Sequence, residues 1–184
     1  MIVDYLIIIL VHKPVNLSWE EAAGSLISGM RSQLALHMAN SKCGDSILIL
    51  DGNVIEQQIC IQLALFRGIT VFTTVCNSDS TIQFDNVIII DTSTENLFEV
   101  INEHTSGLGV DIIVESPNMK GDTYSISELI GCLGTLGKWI TSRNLQLDPP
   151  ATQILLFKSS SLIFLFEQSW MLSTIQQGRY LRMF

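Results

Sequence analysis

The stretch "SILILDGNVIEQQICIQLALFRGITVF", residues 46–72, decides the fold. Its first part, Ser46-Ile47-Leu48-Ile49-Leu50, is a continuous apolar strand of the kind buried on both faces of a parallel sheet. A turn follows: Asp51-Gly52-Asn53-Val54-Ile55-Glu56-Gln57. Beyond it Ile55, Ile59, Leu63 and Phe66 recur at intervals of four, four and three, which predicts a helix packing that stripe on a sheet. Gly68 ends the helix as a left-handed cap, and Ile69 to Val75 supplies a second strand. Strand, helix and strand in this order form the building unit of a parallel sheet.

The same alternation extends both ways. Upstream, Ser18 and Glu21 have capping-box spacing and open a helix that runs through Asn40, with Gly24 and Gly29 as weak points. Lys42 to Asp45 makes a turn. Downstream, a third strand is predicted over Asn86–Ile90. Thr92 and Glu95 form a second capping box, before a helix over Thr94–His104. Ser106-Gly107-Leu108-Gly109 turns the chain into a strand over Val110–Val114. A helix over Thr123–Leu133, a strand over Gly137–Thr141, a break at Asp148-Pro149-Pro150, a sixth strand over Ser161–Phe166 and a helix over Leu172–Arg179 complete the series. The fold class is therefore α/β, a Rossmann-like parallel sheet with helices on both faces. Such sheets bind ligands outside the carboxyl ends of their strands, where the strand order reverses.

Composition narrows the function. The 184 residues suit one domain, and 47% hydrophobic with 15% charged residues argues against disorder. A formal net charge of -8 argues against nucleic acid and anionic membrane surfaces as partners. The apolar run Tyr5–Val11 is far shorter than the ~20 residues a spanning helix needs, and a buried strand is expected there. Cys43, Cys60, Cys76 and Cys132 are widely separated, so each is expected to be a small buried hydrophobe in a reducing compartment, the cytoplasm. His12, His37 and His104 have no acids at ligand spacing, so no metal site is expected.

Four fragments in order, "VHKPVNLSWEEAAGSL", "IQLALFRGITVFTT", "TSGLGVDIIVES" and "NLQLDPP", resemble the medium-chain dehydrogenase/reductase superfamily, in its quinone oxidoreductase-like (zeta-crystallin-like) branch. The resemblance runs from about Leu10 to Arg182. It implies that residues 1–15 are a linking segment and strand and that 16–184 form a nucleotide-binding domain, shortened at its end. Most of the family's N-terminal catalytic barrel is then lacking. It further implies zinc-independent reduction of quinones or enals by NADPH. The family's metal ligands lie in the barrel, so no zinc is inherited.

The cofactor turn departs from that pattern. Relatives hold glycines there because the backbone must turn tightly, approach the pyrophosphate and let helix pack on strand. Here Asp51, Asn53, Val54, Ile55 and Gln57 stand at or around those positions, and Gly52 alone is a glycine. Val54 and Ile55, being β-branched, resist left-handed angles. Glu56 falls in the first helical turn, where the helix dipole favours an acid by roughly 0.3–1 kcal/mol. A phosphate competes for the same amides, and two negative groups ~4 Å apart repel by about 4 kcal/mol at an effective dielectric of ~20.

The resemblance places cofactor contacts at Gly52 and Asn53 in the loop, Gln57 at the helix start, Asn77 and Ser78 at the ribose, and Ser116 after the fourth strand. No catalytic residue is assigned. Asp79 is a candidate ribose acid, and Gln33 replaces a tyrosine common in relatives. Between Gly68 and Met119 there is no Lys or Arg at all. Two functions stand at this stage. One is an NADPH-dependent oxidoreductase with a degenerate loop. The other is a catalytically inactive pseudoenzyme acting through protein–protein interaction, for instance as a homodimer through the Ser161–Phe166 edge strand.

Overall fold

The computed structural model describes residues 12–76, 84–115 and 124–166. Along them run α1 (Trp19–Met38), β1 (Ser46–Ile49), α2 (Ile55–Phe66), β2 (Thr70–Val75), β3 (Val87–Asp91), α3 (Leu97–His104), β4 (Val110–Val114), α4 (Ile126–Cys132), β5 (Leu133–Thr141), α5 (Pro149–Lys158) and β6 (Ser161–Phe164). The strand expected over Tyr5–Val11 and the helix expected over Leu172–Arg179 lie outside the described residues.

The six strands form one sheet in the order β3-β2-β1-β4-β5-β6, and every pair is parallel. β1 is central: Leu48 pairs with Phe72 on one side and Ile113 on the other. The pleat sends alternate side chains to opposite faces. Ile47 and Ile49 enter a core with Leu36, Cys60, Ile61 and Ala64, under α1 and α2. Leu48 and Leu50 enter a second core with Ile101, Leu129, Trp139 and Leu155, under α3, α4 and α5. The expected two-sided sheet is therefore present.

The helix α2 follows β1 as expected but turns a different face to the sheet. Its buried residues are Gln57, Cys60, Ile61 and Ala64, whereas Ile55 is 72% and Phe66 89% exposed. The predicted stripe holds only in part: Leu63 packs against the core and Ile59 is half-buried, while Ile55 and Phe66 face outward, because α2 carries apolar residues on more than one face and spacing alone does not fix its inner one. The small Cys60 and Ala64 let the helix lie close to the sheet. Its end matches expectation: Gly68 takes φ +72°, and the Ile69 amide reaches back to the Ala64 carbonyl at 3.1 Å.

The capping signals divide. Ser18 and Glu21 exchange both bonds, Glu21 N–H to Ser18 Oγ at 3.1 Å and Ser18 N–H to Glu21 Oε2 at 2.8 Å. The box predicted at Thr92 and Glu95 is absent. Glu95 accepts instead from the Asp91 amide, and Asn96 caps α3 by accepting from Glu99 N–H at 3.2 Å. Ser125 caps α4 through Glu128 N–H. Asp148-Pro149-Pro150, predicted as a break, starts α5. Asp148 Oδ1 accepts from Ala151 N–H at 3.1 Å, and the prolines fill positions whose amides have no helical partner.

α5 in turn closes α4. The Lys158 ammonium donates to the carbonyls of Ile130 at 2.8 Å and Gly131 at 3.0 Å, and to that of Leu133. Burial holds its pKa below the ordinary lysine value. These contacts tie α5 to the end of α4 and to the first residue of β5, at the amino ends of the strands. Replacing the cap should show this in stability. Asp148→Ala is expected to lose about 1 kcal/mol in urea unfolding, with Asp148→Asn close to the parent. An equal loss in both variants would assign the effect to charge rather than to capping.

Candidate functional site

The crevice forms where β1 and β4 lie side by side and their following helices leave on opposite faces. The turn after β1 is built from residues that avoid what Val54 and Ile55 resist. Asp51 takes the left-handed angle, φ +57°, while Val54 stays extended at φ −77° and ψ 133° and Ile55 begins the helix. Aspartate tolerates that region better than most residues other than glycine. The turn is tied to β2: Asp51 N–H donates to Thr74 Oγ1 at 3.0 Å, and Gly52 N–H to the Thr74 carbonyl at 2.9 Å. α2 starts with no side-chain cap on its first amides.

Of the predicted contacts, Gly52 is buried, Asn53 is exposed, and Gln57 is 3% exposed on the first turn of α2. Gln33 is half-buried on α1. Asn77, Ser78, Asp79 and Ser116 lie outside the described residues. The structure brings Gly52, Asn53 and Gln57 together at one turn, and adds groups that sequence reasoning missed.

Two polar clusters flank the switch point. Beside β1 and β2, Tyr124 O–H donates to Thr74 Oγ1 at 2.8 Å, on the same oxygen that holds Asp51. Burial raises the Tyr124 pKa above its usual value. Beside β4 and β5, the buried Glu115 takes a two-pronged contact from Arg143, Nη2 to Oε1 at 2.6 Å and Nε to Oε2 at 3.0 Å. The Thr141 hydroxyl also donates to Glu115. Burial, and then repulsion from Glu115, raises the Asp51 pKa.

A cleft opens between α1, the first turn of α2 and the ends of β4 and β5. Its walls include Arg31, Ser32, Glu56, Gln57, Glu115 and Ser142. Arg31 Nη2 donates to Ser142 Oγ at 3.2 Å. The cations at this site thus come from outside the Lys- and Arg-free stretch, from α1 and from the segment after β5. The signal for Glu115 and Arg143 was their place just beyond an apolar strand, where ligands and ion pairs gather in parallel sheets.

Cys60 and Cys132 are buried as expected, and burial pushes both thiols up to about 12. Cys43 and Cys76 are exposed, contrary to expectation, because they sit in the turn before β1 and just past the end of β2. Among the described residues no three His, Cys, Asp or Glu side chains are grouped to hold a metal ion. No described helix is long and apolar enough to cross a membrane.

A sheet in this order, with a strand–turn–helix crevice at its switch point, defines a Rossmann-type domain. No protein-family model matches the chain. It is 36% identical over 191 residues to the quinone oxidoreductase-like protein 1 of Mus musculus, covering 94% of this chain and 55% of that relative. The chain thus spans about half the length of this relative. Its fold is similar to that of the Pseudomonas syringae pv. tomato quinone oxidoreductase, with TM-score 0.76, 18% identity, and coverage of 94% of this chain and 54% of that one. A mycobacterial protein solved in complex with NADPH is also similar, at TM-score 0.72 and 19% identity, over 94% of this chain and 54% of that one. Over the segment it spans, this bears out the resemblance to the quinone oxidoreductase-like branch of the medium-chain dehydrogenase/reductase superfamily.

Asp51 supplies a pH test. Its folded pKa lies above its unfolded one, so its contribution to stability is fully present below the unfolded pKa and is lost as pH rises through the folded pKa. Asn also accepts the left-handed angle. Asp51→Asn is therefore expected to be more stable than the parent in urea at pH 7. That advantage should shrink as the pH falls towards about 4, the ordinary carboxylate range, and be gone below it. An advantage that is the same at both pH values would overturn the assigned cause.

Proposed function

We propose that this chain is the nucleotide-binding part of a zinc-independent reductase that passes hydride from NADPH to a quinone or an enal, and that it holds the cofactor weakly. The observation that carries this reading is the uncapped start of α2 at the switch point of a β3-β2-β1-β4-β5-β6 sheet. Amides at such a helix start, with the dipole behind them, attract a phosphate. The 36% identity to a quinone oxidoreductase-like protein and the fold shared with an NADPH-bound structure support the choice of cofactor.

The fit is partial. Gly52, Asn53 and the first turn of α2 lie where the phosphates belong, while Asp51 and Glu56 bring negative charge to the same turn. The cofactor supplies the hydride. The residues of this chain bind and orient it, through Gly52, Asn53 and Gln57, and through Asn77, Ser78 and Ser116 by resemblance. No side chain is assigned a proton transfer.

A second reading, a non-catalytic partner in an assembly, has its own support. Among the described residues β6 ends the sheet, with Phe164 and Phe166 53% and 60% exposed. Leu156 and Phe157 of α5 are exposed too. Pairing of two copies through Ser161–Phe166 would cover this edge.

Titration with NADPH and NADH, followed by nicotinamide fluorescence and melting temperature together, tests the proposal. A penalty of about 4 kcal/mol weakens a micromolar site to a Kd of about 0.1–1 mM, and saturable NADPH binding in that range is expected. A cooperative melt, with no saturation at ~10 mM NADPH, together with a defined oligomer in the absence of cofactor, overturns it in favour of the second reading.

A further inference from the structure

We propose that Asp51 makes nucleotide binding proton-gated: its carboxylate takes up a proton from solvent as the phosphates of the dinucleotide enter, so the site holds its ligand in mild acid and releases it in mild alkali. This rests on the reading of the crevice as a dinucleotide site and adds a regulation to it. The register of the sheet carries the inference. Ile49 pairs with Val114, and Leu50 N–H donates to the Val114 carbonyl at 3.0 Å. Asp51 and Glu115 therefore stand at the ends of neighbouring central strands, at the switch point. Both positions are fixed. Thr74 holds the amides of Asp51 and Gly52, and the Tyr124 hydroxyl holds Thr74 in turn. The Glu115 side chain is 0% exposed, with Arg143 on both of its oxygens and the Thr141 hydroxyl on one.

The two carboxylates keep different company. A guanidinium meets the charge of Glu115, whereas burial and the Glu115 charge both favour the neutral form of Asp51. The other titratable or charged groups around the turn are Cys76 past β2, Tyr124 before α4, Glu56 on the first turn of α2, and Arg31 on α1. Asp91, at the end of β3, turns to the amide and hydroxyl of Ser93. The two cations in this set are directed elsewhere, Arg143 to Glu115 and Arg31 to the Ser142 hydroxyl.

An entering phosphate is a second negative neighbour for Asp51, and it favours the protonated carboxyl further. Binding is thereby linked to proton uptake. Affinity falls by at most about tenfold per pH unit between the pKa of Asp51 in the empty site and its higher value in the loaded one. The window lies above the ordinary carboxylate range, because the empty-site value is already raised.

The test titrates the full chain with NADP⁺, the acid-stable form of the cofactor, between pH 5 and pH 8. Calorimetry in buffers of different ionisation enthalpy counts the protons taken up. The parent is compared with Asp51→Asn, which accepts the left-handed angle and carries no charge, and with Glu103→Gln, near the far end of α3. The 2′-phosphate of the ligand changes charge near pH ~6, and that contribution cancels between parent and variant. Asp51→Asn is expected to bind about tenfold tighter than the parent at pH 8 and to converge with it towards pH 5. The parent should take up more protons on binding than Asp51→Asn, and Glu103→Gln should follow the parent. A ratio of affinities that is the same at both pH values, with equal proton uptake, overturns the gate and leaves the reductase reading intact. No saturation at ~10 mM NADP⁺ at any pH, from a protein that melts cooperatively, overturns both.

Discussion

The structure depends on β1 being buried on both faces. Ile47, Leu48, Ile49 and Leu50 are all 0% exposed, two facing each core. At about 1.5–3 kcal/mol each, four such side chains contribute on the order of 6–12 kcal/mol, as much as the whole net stability of a typical domain. A poorly chosen turn costs far less. The strand therefore holds the switch point open whatever residues occupy the loop behind it, and the loop is free to lose its glycines without losing the fold.

That separation explains how much the sequence disclosed. Buried strands are rich in β-branched, aliphatic and aromatic residues, so β1, β2 and β4 were legible to within a residue. α2 was legible as a helix but not as an oriented one, because Ile55, Ile59, Leu63 and Phe66 are as apolar as the Cys60, Ile61 and Ala64 that meet the sheet. Asp148-Pro149-Pro150 reads as a break until it is noticed that prolines cost nothing where helical amides have no partners anyway.

The candidate site was legible only in part, for a different reason. Gly52, Asn53 and Gln57 lie close together along the chain, at the loop and the first turn of α2, and could be named together. Arg31, Glu115 and Arg143 lie on three separate segments, and only the sheet order makes them neighbours. The left-handed bend falls on Asp51, a residue chosen by local backbone sterics rather than by any glycine signature. The resulting crevice combines an uncapped helix start, which attracts phosphate, with Asp51 and Glu56, which repel it.

On the proposed function, these two acids, and not a damaged scaffold, limit the affinity for NADPH. The most direct measurement is the affinity of the Asp51→Asn/Glu56→Gln double variant for NADPH, set beside the parent under one buffer and salt. Affinity rising by about one to three decades, with the cooperative melt retained, is the predicted result. An unchanged affinity in a well-folded double variant would contradict the account, and would place the loss of binding in the scaffold itself.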